Sequence, residues 1–333
     1  MPAVTLPAFS LGCPPGPQAL DIARVGQEHG CARIWLFDSA ALYEDIWIWL
    51  DRIGRETDLG LGTAVLVPNL RHVMSTASAA ATIEHSYPGR LVLGFGTGAT
   101  ARWVLGKPAL TWAETRRYIE NLRGLLAGDV VEIDGEQCQM IHWPGMTAER
   151  PIRVPILLSA LGPKGQAITK EIADGIICVG VPPVAMDFQV NMLTGTVLAD
   201  GEDRTSARVK EAIGPWAVLP YHGCHATAPE LLDVLPNGQA WRESIEAARP
   251  EGQRHLAVHE GHVTNVTDRD RALVLDHAWD LPMAQNAWVG TPDELRARAE
   301  QAAANGVTEL LYTPSGPDPV GEARRMAEVL ASK

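Results

Sequence analysis

Three groups of residues in this 333-residue chain have the types and spacing to do chemistry. Asp38 and Ser39, a carboxylate beside a hydroxyl, close the apolar run Ala32–Phe37. Gly94-Phe95-Gly96-Thr97-Gly98 closes a second apolar run, and glycines there let a ligand approach the backbone. The third group is histidine-rich: His222, then His255-x3-His259-Glu260-Gly261-His262. An imidazole or carboxylate at a pocket rim serves as acid, base or orienter, so His222, His259 and Glu260 are the expected proton-transfer residues. The spacing is HEGH rather than HExxH and no further ligand set is apparent, so no metal is expected. Plainer roles compete with each reading. Asp38 or Ser39 could cap a helix, Tyr43 could simply pack, and the histidines could sit half-exposed in a loop-rich insertion.

Ordered elements must hold these groups in place. Residues 61–98 read as one complete βαβ unit: strand Gly62–Val67, a Pro-Asn turn at Pro68-Asn69, helix Met74–Tyr87, a Gly-Arg turn and strand Arg90–Phe95. Nearly uninterrupted Val, Leu and small residues suit parallel strands covered on both faces. Around this unit the alternation continues. Before it come a strand at Val4–Phe9, a helix at Pro17–His29, a strand at Ala32–Phe37 and a helix holding Trp47, Trp49, Leu50 and Ile53. After it come a helix at Thr111–Leu126, a small hairpin at 130–136, a strand at Ile156–Ser159, a helix at Gly165–Ala173 and a strand at Ile176–Val179. The same reading predicts a helix at Pro183–Leu198 and a strand at Ala212–Leu219. From about 221 to 280 the rhythm weakens, which marks an insertion and candidate substrate lid. It returns with strand Ala287–Gly290, a helix capped by Thr291 with Pro292 and Glu294 in place, strand Glu309–Tyr312 and a helix from Pro319. About eight βα repeats without GxGxxG favour an α/β fold of the (β/α)8 TIM-barrel type with insertion regions, as a single domain over residues 1–333.

Charge and composition narrow the partners. Twenty-eight Lys and Arg against 40 Asp and Glu give a net charge of −12, a poor match for nucleic acid or anionic membrane. Five widely spaced cysteines without CxxC suit a reducing compartment, and no apolar stretch has the ~18 residues that span a bilayer. A cytoplasmic location and a small-molecule substrate are expected.

Several short motifs in order resemble the bacterial-luciferase-like flavin and deazaflavin oxidoreductases, nearest the branch of methylenetetrahydromethanopterin reductase, which uses coenzyme F420. The matching residues are Gly62-Thr63-Ala64-Val65 with Pro68 and Arg71-His72, then Gly89-Arg90 with Leu93 to Gly98, and Arg123 to Gly128. Ser159-Ala160-Leu161-Gly162-Pro163-Lys164 with Ala173-Asp174-Gly175, and Gly290 to Glu294, complete the set. The resemblance implies a barrel with its cofactor at the carboxyl ends of the strands and a non-prolyl cis peptide between Ala64 and Val65. It implies that Asp38, Ser39, Ala64, Val65, Thr97 and Gly98 surround the deazaflavin ring. By the same resemblance the loop Ser159, Ala160, Leu161, Gly162, Pro163 and Lys164 offers backbone N–H groups to the tail phosphate at a helix start.

Two positions depart from the family pattern. Where its sugar-phosphate dehydrogenases carry a His after the strand-two Asp and a Glu after the GTG, this chain has Ser39 and Ala99, which argues against that reaction with the same acid and base. The reductase branch also carries an acidic residue where Ala99 stands. The implied activity is therefore hydride transfer between coenzyme F420 and a small organic substrate, by a homodimer. An FMN-dependent monooxygenase is the alternative within enzymes, and a non-catalytic cofactor-binding barrel the alternative outside them.

Overall fold

Eight parallel strands close into a barrel: β1 (Ala8–Cys13), β2 (Arg33–Leu36), β3 (Gly60–Leu66), β4 (Leu91–Phe95), β5 (Ile156–Ser159), β6 (Gly175–Cys178), β7 (Phe188–Leu193) and β8 (Glu309–Tyr312). The structure is a computed structural model describing residues 5–68 and 70–331, so Val4 and Asn69, part of the expected first strand and Pro-Asn turn, lie outside the described residues. Strands pair in chain order, and β1 closes on β8 from Ala8 opposite Glu309 to Leu11 opposite Tyr312. The expected TIM-type barrel is the observed fold. Helices Pro17–His29, Ile46–Glu56, Val73–Ser86, Trp112–Ala127, Pro163–Ile172, Pro292–Ala304 and Pro319–Leu330 cover its outside.

Two layers of side chains hold it together. Trp35, Val92, Leu157, Ile177, Val190 and Leu311 fill the barrel, with Ala64, Val65 and Met192 half-buried against them. The larger core lies between strands and helices, where alternate strand residues such as Ile34, Leu61, Leu93 and Leu158 meet helix faces carrying Ile53, Ala77, Ala80 and Leu122. At the amino end of the barrel Glu309 is buried, accepting from Ser10 Oγ at 2.5 Å and Trp35 Nε1 at 2.7 Å, with Arg33 Nε at 3.6 Å.

Local signals set most boundaries. Thr291 closes a capping box with Glu294 over Pro292, and Thr111 does the same with Glu114, so both helices begin where the sequence indicates. Three expectations fail. The first strand is Ala8–Cys13 rather than Val4–Phe9, since Leu11-Gly12-Cys13 prolongs the apolar run to the Pro14 turn. The segment expected as a helix at Pro183–Leu198 is β7 followed by strand Gly195–Val197. Its order Gln-Val-Asn-Met-Leu puts the fully buried Val190 into the barrel, and β-branched residues favour that pleated surface. The segment expected as a strand at Ala212–Leu219 is instead within helix Ala207–Ala217, where the Ser206 side chain caps the Val209 N–H and Val209, Ile213 and Trp216 recur at helical spacing. Apart from the small hairpin, seven of the nine expected strands join the barrel, β7 supplies the eighth, and the other two are this helix and a strand outside the barrel. The short strand Trp288–Gly290 pairs with Gly195–Val197 outside the barrel.

The expected loop-rich insertion is largely helical. Helices Leu219–Thr227 and Gly238–Ala248, with shorter turns between 229 and 285, enclose their own core of Val209, Ile213, Tyr221, Leu232, Trp241, Ile245, Val258 and Val274. Tyr221 and Trp241, both fully buried, anchor it with ring centroids 5.5 Å apart.

Candidate functional site

The carboxyl ends of β2, β3 and β4 bring most of the predicted residues to one sector of the barrel mouth. Asp38, two residues past β2, is buried and takes both carboxylate oxygens to Arg71 Nη1 at 2.8 Å each. Arg71 extends its other nitrogen to Asp45 at 2.9 Å. Asp45, not Asp38, caps the following helix by accepting from the Trp47 and Ile48 N–H groups. Burial pushes the Asp38 carboxyl above its ordinary range against the pull of Arg71. Burial pushes the less buried Asp45 the same way, but Arg71 and two backbone N–H groups hold it below the ordinary range. Sequence reasoning matched Arg71 to the family without giving it a role; it is the cation that organises two carboxylates at the mouth. Ser39 does not cap through its side chain. Its Oγ is buried without a partner among the described residues, as is Trp47 Nε1 on the adjoining helix.

β3 carries the cis peptide expected between Ala64 and Val65, and its pairing with β4 shifts register between Thr63 and Leu66. This bulge faces Gly94 and Gly96. A Cβ on Gly94 would run into the Thr63 carbonyl, and one on Gly96 would stand 2.9 Å from Val65 Cγ2. Thr97 is half-buried beyond the strand, and Gly98 takes φ 78° against Val67, a conformation that favours glycine. Ala64 and Val65 stay half-buried, offering an apolar platform at the mouth.

At the end of β5, Ser159 is half-buried, Ala160 buried, and Leu161, Gly162, Pro163 and Lys164 exposed. Helix Pro163–Ile172 has Pro at its start and no side-chain cap, and a Cβ on Gly162 would meet nothing within 4 Å. Its first-turn N–H groups thus have space beside them and a dipole that favours an anion. Trp112 backs the helix at Gly165.

The insertion contributes three buried imidazoles, His222, His259 and His262, with centroids 4.9 to 5.6 Å apart. His222 Nδ1 and His262 Nδ1 are 2.6 Å apart, and His262 Nε2 is 3.0 Å from Thr100 Oγ1. The Tyr43 hydroxyl donates to the His262 carbonyl at 2.8 Å. His259 Nδ1 is 2.7 Å from the His255 carbonyl, and Nε2 of both His222 and His259 lacks a partner among the described residues. Burial lowers all three: His262 to about 3, helped by His259; His222 well below the ordinary value, helped by both neighbours; His259 despite its bond to His255. Glu260 does not join them. Its carboxylate is half-exposed and lies 3.7 Å from Arg249. His262, not selected as a proton-transfer residue from the sequence, proves central; its place in the HEGH run was the available signal. Among the described residues no group of three or more His, Cys, Asp or Glu could hold a metal ion.

Several cavities adjoin the mouth, of which two bear on the site. One of about 220 Å³ lies at the ends of β6 and β7, between Val179, Met192, Trp216, Trp288, Asn191 and Arg298. Arg298 stacks on Trp288 and donates to the carbonyls of Ala287 and Asn286. A groove of about 650 Å³ runs outward from Arg71 past Tyr118 and Arg117 to Glu132.

The luciferase-like monooxygenase family model matches residues 6–309, and the chain belongs to that family. It is 25% identical over 307 residues to the 5,10-methylenetetrahydromethanopterin reductase of Methanolobus tindarius, covering 89% of this chain and 90% of that one. It is 32% identical to the F420-dependent glucose-6-phosphate dehydrogenase of Mycolicibacterium smegmatis, covering 81% and 77% respectively. The solved coenzyme F420-dependent tetrahydromethanopterin reductase of Methanopyrus kandleri shares the fold with a TM-score of 0.64 at 18% identity, over 98% of this chain and 99% of that one. Among the described residues no helix is long and apolar enough to cross a membrane.

Proposed function

We propose that this chain is an oxidoreductase that moves a hydride between coenzyme F420 and a small organic substrate. The observation that carries the reading is the pairing of the half-buried Ala64 and Val65 platform with the uncapped start of helix Pro163–Ile172. One suits the face of a flat ring, and the other suits a phosphate. The residues present fit such a group in two further respects. Gly94, Gly96 and Gly98 lie where a side chain would collide with β3 or the residues just after it, and Ser39 Oγ and Trp47 Nε1 are buried polar groups lacking a partner. Bound there, the 8-hydroxy-5-deazaflavin supplies the carbon that gives or accepts the hydride. The protein's own residues orient it: Ala64 and Val65 behind the ring, Asp38, Ser39, Thr97 and Gly98 around it, and Ser159 to Lys164 at the tail. His222 and His259 provide the buried imidazoles for proton transfer.

The 220 Å³ cavity beside Met192 supports a small substrate held between two indoles. Its one cation, Arg298, already serves two main-chain carbonyls, which favours an uncharged molecule over a sugar phosphate. The helical insertion is then the lid over this space. A homodimer in a reducing compartment completes the reading, supported by exposed Ile141, Trp143 and Met146 and by five unpaired cysteines.

Titrating the purified protein with F420 and with FMN side by side tests the reading. Tight binding of F420 and weak binding of FMN is the expected result. The reverse would favour the FMN-dependent alternative, a monooxygenase being what the family's description names, and binding of neither would favour a barrel without this chemistry.

A further inference from the structure

Hydride transfer to or from a carbonyl, alcohol or imine carbon requires a proton to move as well. Ala99 follows Gly98 and Ser39 follows Asp38, and neither titrates near neutrality. The hydrogen-bonded chain nearest these positions begins one residue further on, at Thr100 in the first turn after Gly98. Its Oγ1 reaches His262 Nε2, and Nδ1 of that ring reaches Nδ1 of His222. Tyr43, just past β2, holds His262 by its carbonyl, while Thr100, just past β4, holds it by its ring. The imidazole is therefore fixed over the sector where β3, lying between those strands, ends in the Ala64–Val65 bulge.

We propose that Thr100, His262 and His222 form a proton relay that runs from the mouth beside the ends of β3 and β4 to the buried Nε2 of His222. The inference rests on the oxidoreductase reading above. Its chemistry follows from the tautomers. Two neutral imidazoles share an Nδ1–Nδ1 hydrogen bond only when one carries its proton on Nδ1 and the other on Nε2. In one state Thr100 donates to His262 Nε2, His262 Nδ1–H donates to His222 Nδ1, and His222 carries its proton on Nε2. When substrate releases a proton to Thr100 Oγ1, the hydroxyl proton passes to His262 Nε2, the His262 Nδ1 proton passes to His222 Nδ1, and the His222 Nε2 proton leaves to water. Each side chain gains one proton as it loses another, the two rings exchanging tautomers, and no ring becomes charged. Run backwards, the same steps deliver a proton to substrate. His259 marks the far end. Its Nδ1 can only donate to the His255 carbonyl, so its Nε2 carries a lone pair within the same buried cluster as His222 Nε2. A water between such groups has partners on both sides.

Nitrogen-15 spectra of histidine-labelled protein test the relay without cofactor or substrate. The expected result is opposite tautomers for His222 and His262, with Thr100→Val disturbing His262 and Thr100→Ser preserving it. The same tautomer on both rings overturns the proposal. With F420 bound and a substrate identified, Thr100→Val is expected to slow turnover about 10–100-fold in a step sensitive to solvent deuterium, with F420 affinity kept and Thr100→Ser restoring the rate. An unchanged rate and isotope effect in Thr100→Val overturns the relay while leaving the oxidoreductase reading intact. Failure of F420 to bind overturns that reading instead, and the tautomer result then stands alone as a property of the fold.

Discussion

Trp35 and Glu309 meet at the amino end of the barrel, the indole Nε1 donating to the buried carboxylate at 2.7 Å. They come from β2 and β8, the two neighbours of β1, and Ser10 of β1 donates to the same oxygen. The carboxylate therefore ties three strands across the barrel closure. Replacing it by Ala leaves an indole N–H, a hydroxyl and the half-buried Arg33 facing one another without an acceptor. Glu309→Ala is expected to cost about 3–5 kcal/mol, read as a fall in the urea midpoint. F420 affinity at low temperature is expected to be unchanged, since the proposed cofactor site lies at the opposite end of the barrel. Loss of affinity without loss of stability would contradict this division.

Gly162 has open space around it, so Gly162→Ala is expected to leave stability and F420 affinity nearly unchanged. Gly162→Asp leaves the fold intact as well, but sets a carboxylate beside the proposed phosphate position. Two like charges ~4 Å apart repel by about 4 kcal/mol at an effective dielectric of 20, about a thousandfold in affinity. Equal F420 affinity for the two variants would move the tail elsewhere.

His222→Ala and His259→Ala are expected to lower kcat by about 10²–10⁴-fold with F420 affinity largely kept. Glu260→Gln is expected to match the parent, because that carboxylate is half-exposed beside Arg249 rather than in the cluster. A Glu260→Gln enzyme as impaired as the histidine variants would reverse the assignment.

Acid is expected to unfold the protein through its histidines. The unfolded chain protonates them near pH 6.5, whereas burial lowers the folded values, to about 3 for His262. Between those limits the unfolded state binds more protons, so stability falls as pH drops, by up to about 1.4 kcal/mol per pH unit for each such ring. Melting temperatures from pH 7.5 to 5 are expected to fall more steeply in the parent than in His262→Gln. Parallel slopes would mean that His262 does not contribute.

The barrel was legible because its signals are local. Thr111 with Glu114 and Thr291 with Glu294 announce helix starts, and β5 and β8 are apolar runs bounded by clear turns. β7 is hard to see because only Thr194 separates Phe188–Leu193 from Gly195–Val197, so the two short strands read as one long segment. Helix Ala207–Ala217 is hard to see because Gly214 and Pro215, both poor helix formers, fall near its end. At the mouth, Asp38 and the Ala64–Val65 pair are legible from short motifs along the chain. The Arg71 link between Asp38 and Asp45 is not, since it joins residues 26 and 33 apart that only the closed barrel brings together. His262 went unselected for the same reason, because Thr100 lies 162 residues away.

The insertion packs around Tyr221, Trp241 and Leu232, side chains that belong to a core of their own. Packed on its own side chains, such a segment can vary with little effect on the barrel beneath it. Substitutions within it can reshape the proposed roof of the substrate space while the β3 bulge, its facing glycines and the Glu309 closure stay as they are. A change of substrate is then possible without rebuilding the floor proposed for hydride transfer.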